Sequence, residues 1–188
     1  MQPKIDGLSI AALALLLFLG ANLLNDASPA EGAGLVDQPA AQAPTPQPIQ
    51  PDPEDFVAPY TTFTITQGLH GASYGHMAID IAAGEGVTIL SPIHGEVTEY
   101  YLDEWGNPTL IIENEIYRVT LMHGDYSVSV GQAVALGEPV GVESNQGYTT
   151  DLAGNPCWER SGCGYHTHLN VYDKIRGENV DPLELINR

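Results

Sequence analysis

The folded part of this sequence predicts an all-β domain, built as a compact antiparallel β-sandwich or barrel-like sheet. From Tyr60 onward, short runs of β-branched and apolar residues are separated by Gly, Asn and Pro. No long stretch after Pro59 shows the 3.6-residue apolar period of an amphipathic helix, so we expect little helix. The runs predict strands at residues 61–66, 87–91, 96–102, 109–114, 116–122 and 168–173.

Length and charge limit the possible functions. The chain has 188 residues, which is enough for one domain at ~100 to 200 residues per domain. Six Lys and Arg residues against 24 Asp and Glu residues give a formal net charge of −18. A protein that binds phosphate backbones releases counterions through basic side chains, so we do not expect nucleic acid as a partner.

The first 24 residues predict a signal peptide or a membrane anchor. Residues 8–24 are apolar and uncharged, with a length between that of a signal-peptide core and a short membrane span. Lys4 precedes them, which agrees with a cytoplasmic N-terminus. We therefore expect the rest of the chain outside the cytoplasm, in the cell envelope, either anchored to the cytoplasmic membrane or secreted.

Residues 25–59 predict a linker. This segment holds eight of the 14 prolines, and such a composition favours extended, polyproline-like conformations. A spacer is the expected role, and a proline motif that binds a partner is the alternative. The folded domain is then expected at residues 60–188.

Two cysteines, Cys157 and Cys163, are too few for a disulfide scaffold or a four-thiolate zinc site. In an exported domain they predict one local disulfide that stiffens the loop before the last strand. Trp158 lies inside this loop and is either a substrate-stacking residue or a packed aromatic. Any metal must therefore be held by His and carboxylate groups.

Two of the histidine motifs place side chains on one face of a strand. His76 and Asp80 are four residues apart, and His166 and His168 are two apart, so in each pair the side chains point to the same side. His123 ends the predicted strand at 116–122, where a turn begins. Single histidines are usually structural or lie on the surface, and this is the interpretation for the two that remain, which are His70 and His94.

Together, the three motifs suit a catalytic zinc ion with three protein ligands and an open position for water. They supply one carboxylate and four imidazoles without thiolates. The sequence has no His-Glu-x-x-His motif. A histidine beside the metal would therefore have to assist proton transfer or stabilise an oxyanion.

Three blocks of sequence resemble the M23 (LytM/lysostaphin-type) zinc metallopeptidases, and the similarity extends from about Gln67 to Pro182. The blocks are GHMAID with the glycine-rich turn that follows, SVGQAVALGEPVG, and HTHLNVYD. The resemblance implies a fold of the LytM or duplicated hybrid motif type. It also implies that His76, Asp80 and His168 hold zinc, and that His123 and His166 are catalytic histidines that orient water and stabilise the oxyanion.

The same resemblance implies the function. We expect a zinc metalloendopeptidase that cleaves stem peptides or cross-bridges of peptidoglycan. The sequence does not determine the oligomeric state, for which a monomer is the expectation. Where the family usually has an aromatic and an acid after the His-x-His pair, this sequence has Leu169 and Asn170. The alternative is a non-catalytic LytM-like module that binds the wall and activates another wall hydrolase, although all five site positions carry competent residues.

Overall fold

The computed structural model describes residues 51–151, 153–158 and 160–187. The predicted membrane segment at 1–24 and residues 25–50 of the predicted linker lie outside the described residues. Those that are described belong to one compact unit that spans residues 47–188. None of the helices in this part of the chain is long and apolar enough to cross a membrane.

Eleven strands and two short helices form the described part of the chain. The strands are β1 (Thr64–His70), β2 (Ala78–Ala82), β3 (Thr88–Leu90), β4 (Gly95–Leu102), β5 (Pro108–Glu113), β6 (Tyr117–Met122), β7 (Asp125–Tyr126), β8 (Ala133–Val134), β9 (Pro139–Val142), β10 (Thr167–Asp173) and β11 (Glu178–Val180). The helices are a 3₁₀ turn, Ala72–Tyr74, and α1, Pro182–Ile186. The expectation of little helix is confirmed for these residues.

The strands form two antiparallel sheets. The larger sheet has the order β1-β2-β10-β6-β5-β4-β8, with β11 paired to β10, and the smaller sheet has the order β3-β9-β7. Every pair is antiparallel. Each of the six predicted strands overlaps an observed one, so the prediction of an antiparallel all-β fold is confirmed.

Alternation along the strands sends one face of the larger sheet into the core and leaves the other face to line a groove. Ile89 and Val140 of the smaller sheet pack into the same core, so the two sheets share it. Between the core residues of the larger sheet lie polar side chains that point the opposite way, among them Asp80, Thr120 and His168. The core-facing residues of the larger sheet include Ile79, Ile81, Leu110, Ile112, Val119, Leu121, Leu169 and Val171.

The last residues of the predicted linker contact the sheets. The amide of Val57 donates to the carbonyl of Pro92 at 3.0 Å, and the carbonyl of Pro59 accepts from Leu90 at 2.9 Å. Phe56 packs edge-on against Tyr117, with ring centroids 5.9 Å apart. The boundary predicted between residues 59 and 60 therefore falls inside a segment that lies against the folded domain.

Candidate metal centre and active-site groove

A long open groove runs across the outward face of the larger sheet. Its volume is about 1770 Å³, larger than the ~300 to 1,000 Å³ of a typical small-molecule pocket. Trp105 and Tyr148 lie on its rim with ring centroids 6.0 Å apart, and residues 160–164 line it as well. The groove therefore has room for a substrate larger than a small metabolite.

All five site residues predicted from the sequence lie in this groove. Asp80 and His168 come from the neighbouring strands β2 and β10, where they are direct partners in the ladder. His166 precedes β10 by one residue, and His123 follows β6 immediately. Sheet pairing thus brings together residues that are far apart in the sequence.

Three ligand atoms lie close together at the centre of the groove. Nδ1 of His168 is 3.1 Å from Oδ1 of Asp80 and 3.1 Å from Nε2 of His70. Nε2 of His70 is 3.4 Å from the same carboxylate oxygen. Ligands ~2.0 to 2.1 Å from a tetrahedral zinc ion are about 3.3 Å from one another, so this nitrogen and oxygen set fits zinc. Among the residues that the structure describes, His70, Asp80 and His168 form the group of side chains that could hold a metal ion.

The third predicted ligand, His76, contacts the opposite edge of His168. Its Nδ1 is 3.1 Å from Nε2 of His168, whereas Asp80 faces Nδ1 of the same ring. The His168 imidazole therefore lies between His76 on one edge and Asp80 on the other. The assignment of His76 as a ligand remains a prediction.

His70, which was expected to be structural or on the surface, lies instead among the site residues. It ends β1 and lies in the groove against Asp80 and His168. Its Nδ1 donates to the carbonyl of Gly68 at 2.9 Å, which leaves the lone pair on Nε2. The other lone histidine, His94, accepts a hydrogen bond from the amide of Leu136 at 3.2 Å.

Asparagines hold the segment that carries His76. The amide of Met77 donates to Oδ1 of Asn170 at 2.8 Å. Asn170 in turn donates to Asn179, which reaches the carbonyl of Gly75 at 2.6 Å. Asn170 therefore helps to fix the main chain beside His76.

His123 and His166 form a second pair of imidazoles, with ring centroids 4.7 Å apart. Nδ1 of His123 donates to the carbonyl of Gln146 at 2.9 Å, and Nδ1 of His166 donates to the carbonyl of Gly164 at 2.8 Å. A carbonyl can only accept, so in both neutral rings the lone pair is on Nε2. Nε2 of His166 lies 3.7 Å from Oδ2 of Asp80.

The groove favours the neutral imidazoles of His76 and His123 and the ionised carboxylate of Asp80. Burial, together with repulsion from neighbouring imidazoles, lowers the pKa of His76 and of His123 to about 4. Burial alone would raise the pKa of Asp80, but the hydrogen bond with His168 and the nearby imidazoles lower it overall. Neutral imidazoles and an ionised carboxylate are the forms that bind a metal ion.

Cys157 and Cys163 form the predicted disulfide. Residues 160–163 of this loop and the adjacent residue 164 line the groove, whereas Trp158 is exposed and not among the lining residues. The buried side chain of Asn145 holds the loop: its Nδ2 lies 2.8 to 2.9 Å from the carbonyl oxygens of Cys157, Arg160 and Cys163.

Comparisons with known proteins agree with the resemblance seen in the sequence. The model of peptidase family M23 matches residues 74–182, more than half of the chain. Among curated proteins, none matches the sequence significantly.

Several solved structures share the fold. A zinc-containing peptidase from Vibrio cholerae is 23% identical with a TM-score of 0.53, covering 71% of this chain and 40% of its own. LytU is 28% identical with a TM-score of 0.50, covering 66% of this chain and 83% of its own. Lysostaphin from Staphylococcus simulans is 16% identical with a TM-score of 0.50, covering 71% of this chain and 50% of its own. The chain thus spans half or less of two of these proteins, and by its family match it belongs to peptidase family M23.

Proposed function

We propose that this protein is a zinc metalloendopeptidase that hydrolyses peptide bonds in the stem peptides or cross-bridges of peptidoglycan. The observation that carries the proposal is the cluster in the groove, where a group that fits zinc lies beside two further imidazoles with fixed tautomers. Membership of the M23 family supports the peptidase reaction. The similarity of the fold to lysostaphin, an antimicrobial peptidase, agrees with it.

Asp80 and His168 belong both to the ligand set implied by the resemblance and to the group seen in the structure. The third ligand is then a histidine from the turn at residues 70–76, where the family motif favours His76 and the distances favour His70. A zinc ion held by these residues would supply Lewis-acid chemistry, which polarises a carbonyl group and lowers the pKa of bound water from ~15.7 to ~7.

His123 and His166 are the proposed catalytic residues. With Nδ1 bound to a carbonyl, each can accept a proton at Nε2 from the attacking water or, once protonated, donate one to the leaving amine. Their proximity to each other and to Asp80 puts them beside the proposed metal ligands. A protonated imidazole there would also stabilise the negative oxygen that develops on the substrate carbonyl.

The groove supports a polymeric substrate. Its volume exceeds that of a typical small-molecule pocket, and the exposed rings of Trp105 and Tyr148 offer apolar contact area in it. Peptidoglycan is the abundant peptide-containing polymer next to an exported domain. Residues 1–24 would either hold the protein on the outer face of the cytoplasmic membrane or direct its secretion.

The test is digestion of purified peptidoglycan by the zinc-loaded protein, by the chelated protein, and by chelated protein to which zinc is returned. We expect solubilisation by the first and third samples only. Binding to the wall without release of fragments in any sample would contradict the proposal and would favour a wall-binding module instead.

A further inference from the structure

We propose that Trp105 and Tyr148 form a specificity subsite that binds an ammonium group of the substrate. The inference rests on the proposed function, because it names the chemical group of a wall peptide that the groove recognises near the cleaved bond. A diamino acid residue with a free amino group carries such an ammonium group. Three observations support the subsite: the exposure and spacing of the two rings, their fixed main chain, and the charges beside them.

The two rings are exposed in the groove although both are large. Trp105 is 66% exposed and Tyr148 is 64% exposed. Their centroids are 6.0 Å apart and their planes are tilted by 53°. A cation is attracted to an aromatic ring from within ~6 Å of its centroid, so one cation can interact with both rings. Two tilted rings do not form the single flat face on which a sugar ring would stack.

The loop that carries Trp105 is held by the carboxylate of Asp103. Oδ1 of Asp103 accepts hydrogen bonds from the amides of Trp105 at 2.9 Å and Asn107 at 2.8 Å. Oδ2 accepts from Nδ2 of Asn107 at 2.7 Å. The amide of Gly106 also donates to the carbonyl of Asp103 at 3.0 Å. The main chain under the exposed indole is therefore fixed before a ligand arrives, which lowers the entropy cost of binding.

Asn107 connects this loop to the segment that carries Tyr148. Its Oδ1 accepts a hydrogen bond from the amide of Tyr148 at 2.6 Å. A Cβ atom on Gly147 would lie 2.3 Å from the same oxygen, so only glycine lets the two segments approach this closely. Main-chain contacts thus set the spacing of the two rings.

The same two segments support His123, one of the proposed catalytic residues. The amide of His123 donates to the carbonyl of Pro108 at 3.1 Å, and its Nδ1 donates to the carbonyl of Gln146 at 2.9 Å. Pro108 directly follows Asn107, and Gln146 is two residues before Tyr148. The aromatic pair therefore lies on the His123 side of the groove.

The charges beside the rings favour a cation. Asp103 and Glu104, which directly precede Trp105, line the groove. Within the described part of the chain, neither forms an ion pair. Two arginines also line the groove, but Arg118 pairs with two glutamates and Arg160 belongs to the disulfide loop. Carboxylates next to two aromatic rings complement an ammonium group.

The test measures how the chelated full-length protein, kept in mild detergent, binds insoluble peptidoglycan by co-sedimentation. Two preparations are compared, native peptidoglycan and peptidoglycan whose free amino groups have been acetylated. Acetylation should weaken wild-type binding by about 5- to 30-fold, the range of a cation–π interaction. Trp105→Ala should lose a similar amount on the native preparation and should bind both preparations equally, because the ring and the ammonium group act as a pair.

Trp158→Ala is the matched control, since Trp158 is 62% exposed without lining the groove. This variant should bind both preparations as the wild type does. Trp105→Phe keeps an aromatic ring and should retain part of the effect of acetylation. Glu104→Gln should reduce both that effect and the salt dependence of binding. Circular dichroism checks the fold of each variant.

Equal losses for Trp105→Ala on the two preparations would show that the ring binds a glycan or an apolar group, and would overturn the inference. Wild-type binding that acetylation leaves unchanged would also overturn it. Both results would leave the proposed function intact, because release of fragments by the zinc-loaded wild type is measured separately. Absence of binding by the wild type to native peptidoglycan would overturn the subsite and the proposed function together.

Discussion

Hydrogen bonds to backbone carbonyl groups fix the rings of the two proposed catalytic histidines, His123 and His166. Among the non-glycine residues that the structure describes, His123 has a positive φ, at 71°. Its main-chain carbonyl accepts a hydrogen bond from the Ser144 hydroxyl, while its ring donates to the Gln146 carbonyl. A non-glycine residue with positive φ is uncommon, and these two hydrogen bonds stabilise the main chain and the ring of His123.

The substitution His123→Asn tests the proposed proton transfer. Asparagine tolerates the left-handed conformation, so the backbone should be kept while the imidazole is lost. General acid–base groups contribute ~10²- to 10⁴-fold, and we expect kcat to fall within that range. Zinc content and melting temperature should stay close to wild type. Turnover within a few-fold of wild type would show that His123 does not have this role.

Stability of the metal-free protein should depend on the protonation of His123. Burial, with smaller contributions from neighbours, lowers its pKa from 6.5 to about 4 in the folded chain. Between these pH values the unfolded chain binds a proton that the folded chain does not, so acidification lowers the free energy of unfolding.

The loss should be about 3 kcal/mol for His123 between pH ~6.5 and ~4, with His76 adding to the slope. Urea denaturation of the chelated protein across this pH range measures the loss in the free energy of unfolding. The slope should be smaller in His123→Asn, and equal slopes in the two proteins would exclude His123 as its source.

At the scale of elements, one segment connects the disulfide loop to the catalytic pair. Asn145 holds the carbonyl groups of the loop, and the residues on either side of it, Ser144 and Gln146, both bind His123. The disulfide therefore stiffens a loop that lines the groove, and the segment that holds this loop also orients the imidazole of His123. Loosening the loop should change substrate binding before it changes the metal site.

The double variant Cys157→Ser, Cys163→Ser tests this arrangement. Closing so short a loop contributes on the order of 2 to 3 kcal/mol at most, so the domain should still fold and bind zinc. The Michaelis constant for wall peptides should rise because residues 160–164 line the groove. Trp158→Ala is the control, since Trp158 lies in the same loop without lining the groove, and its kinetics should be unchanged. Loss of zinc from the double variant would contradict the assigned role of the cysteines.

Elements with a clear period could be predicted, and very short ones could not. Strands such as β6 and β10 have six or seven residues with regular alternation, whereas β7 and β8 have two residues each and leave no pattern. Helix α1 has five residues, too few for a helical period.

The residues of the candidate site could likewise be predicted only where they form a recognisable sequence pattern. Asp80, His166 and His168 stand in motifs that the sequence displays. His70 does not, because its partner His168 is 98 residues away and is reached across paired strands. The sequence signal that could have revealed His70 is the pair of glycines at 71 and 75. They indicate a turn that pairs residues 64–70 with residues 78–82.

At the scale of the whole molecule, the proposed location depends on residues 1–24. An apolar segment after Lys4 should place the catalytic domain outside the cytoplasm. A reporter enzyme active only after export, fused behind Arg188, should show activity. A second fusion to a reporter that works only in the cytoplasm should be silent, and activity there alone would contradict access to the wall.

The central claim is that this acidic, groove-bearing domain cleaves peptide bonds of the wall with a metal ion. Its most direct test is mass analysis of the fragments that the zinc-loaded protein releases from purified peptidoglycan, with the chelated protein and His123→Asn as controls. We predict fragments with new amino and carboxyl termini within stem peptides or cross-bridges, from the zinc-loaded wild type alone. Intact peptides with cleaved glycan strands, or the same peptide fragments from the chelated protein, would contradict the account.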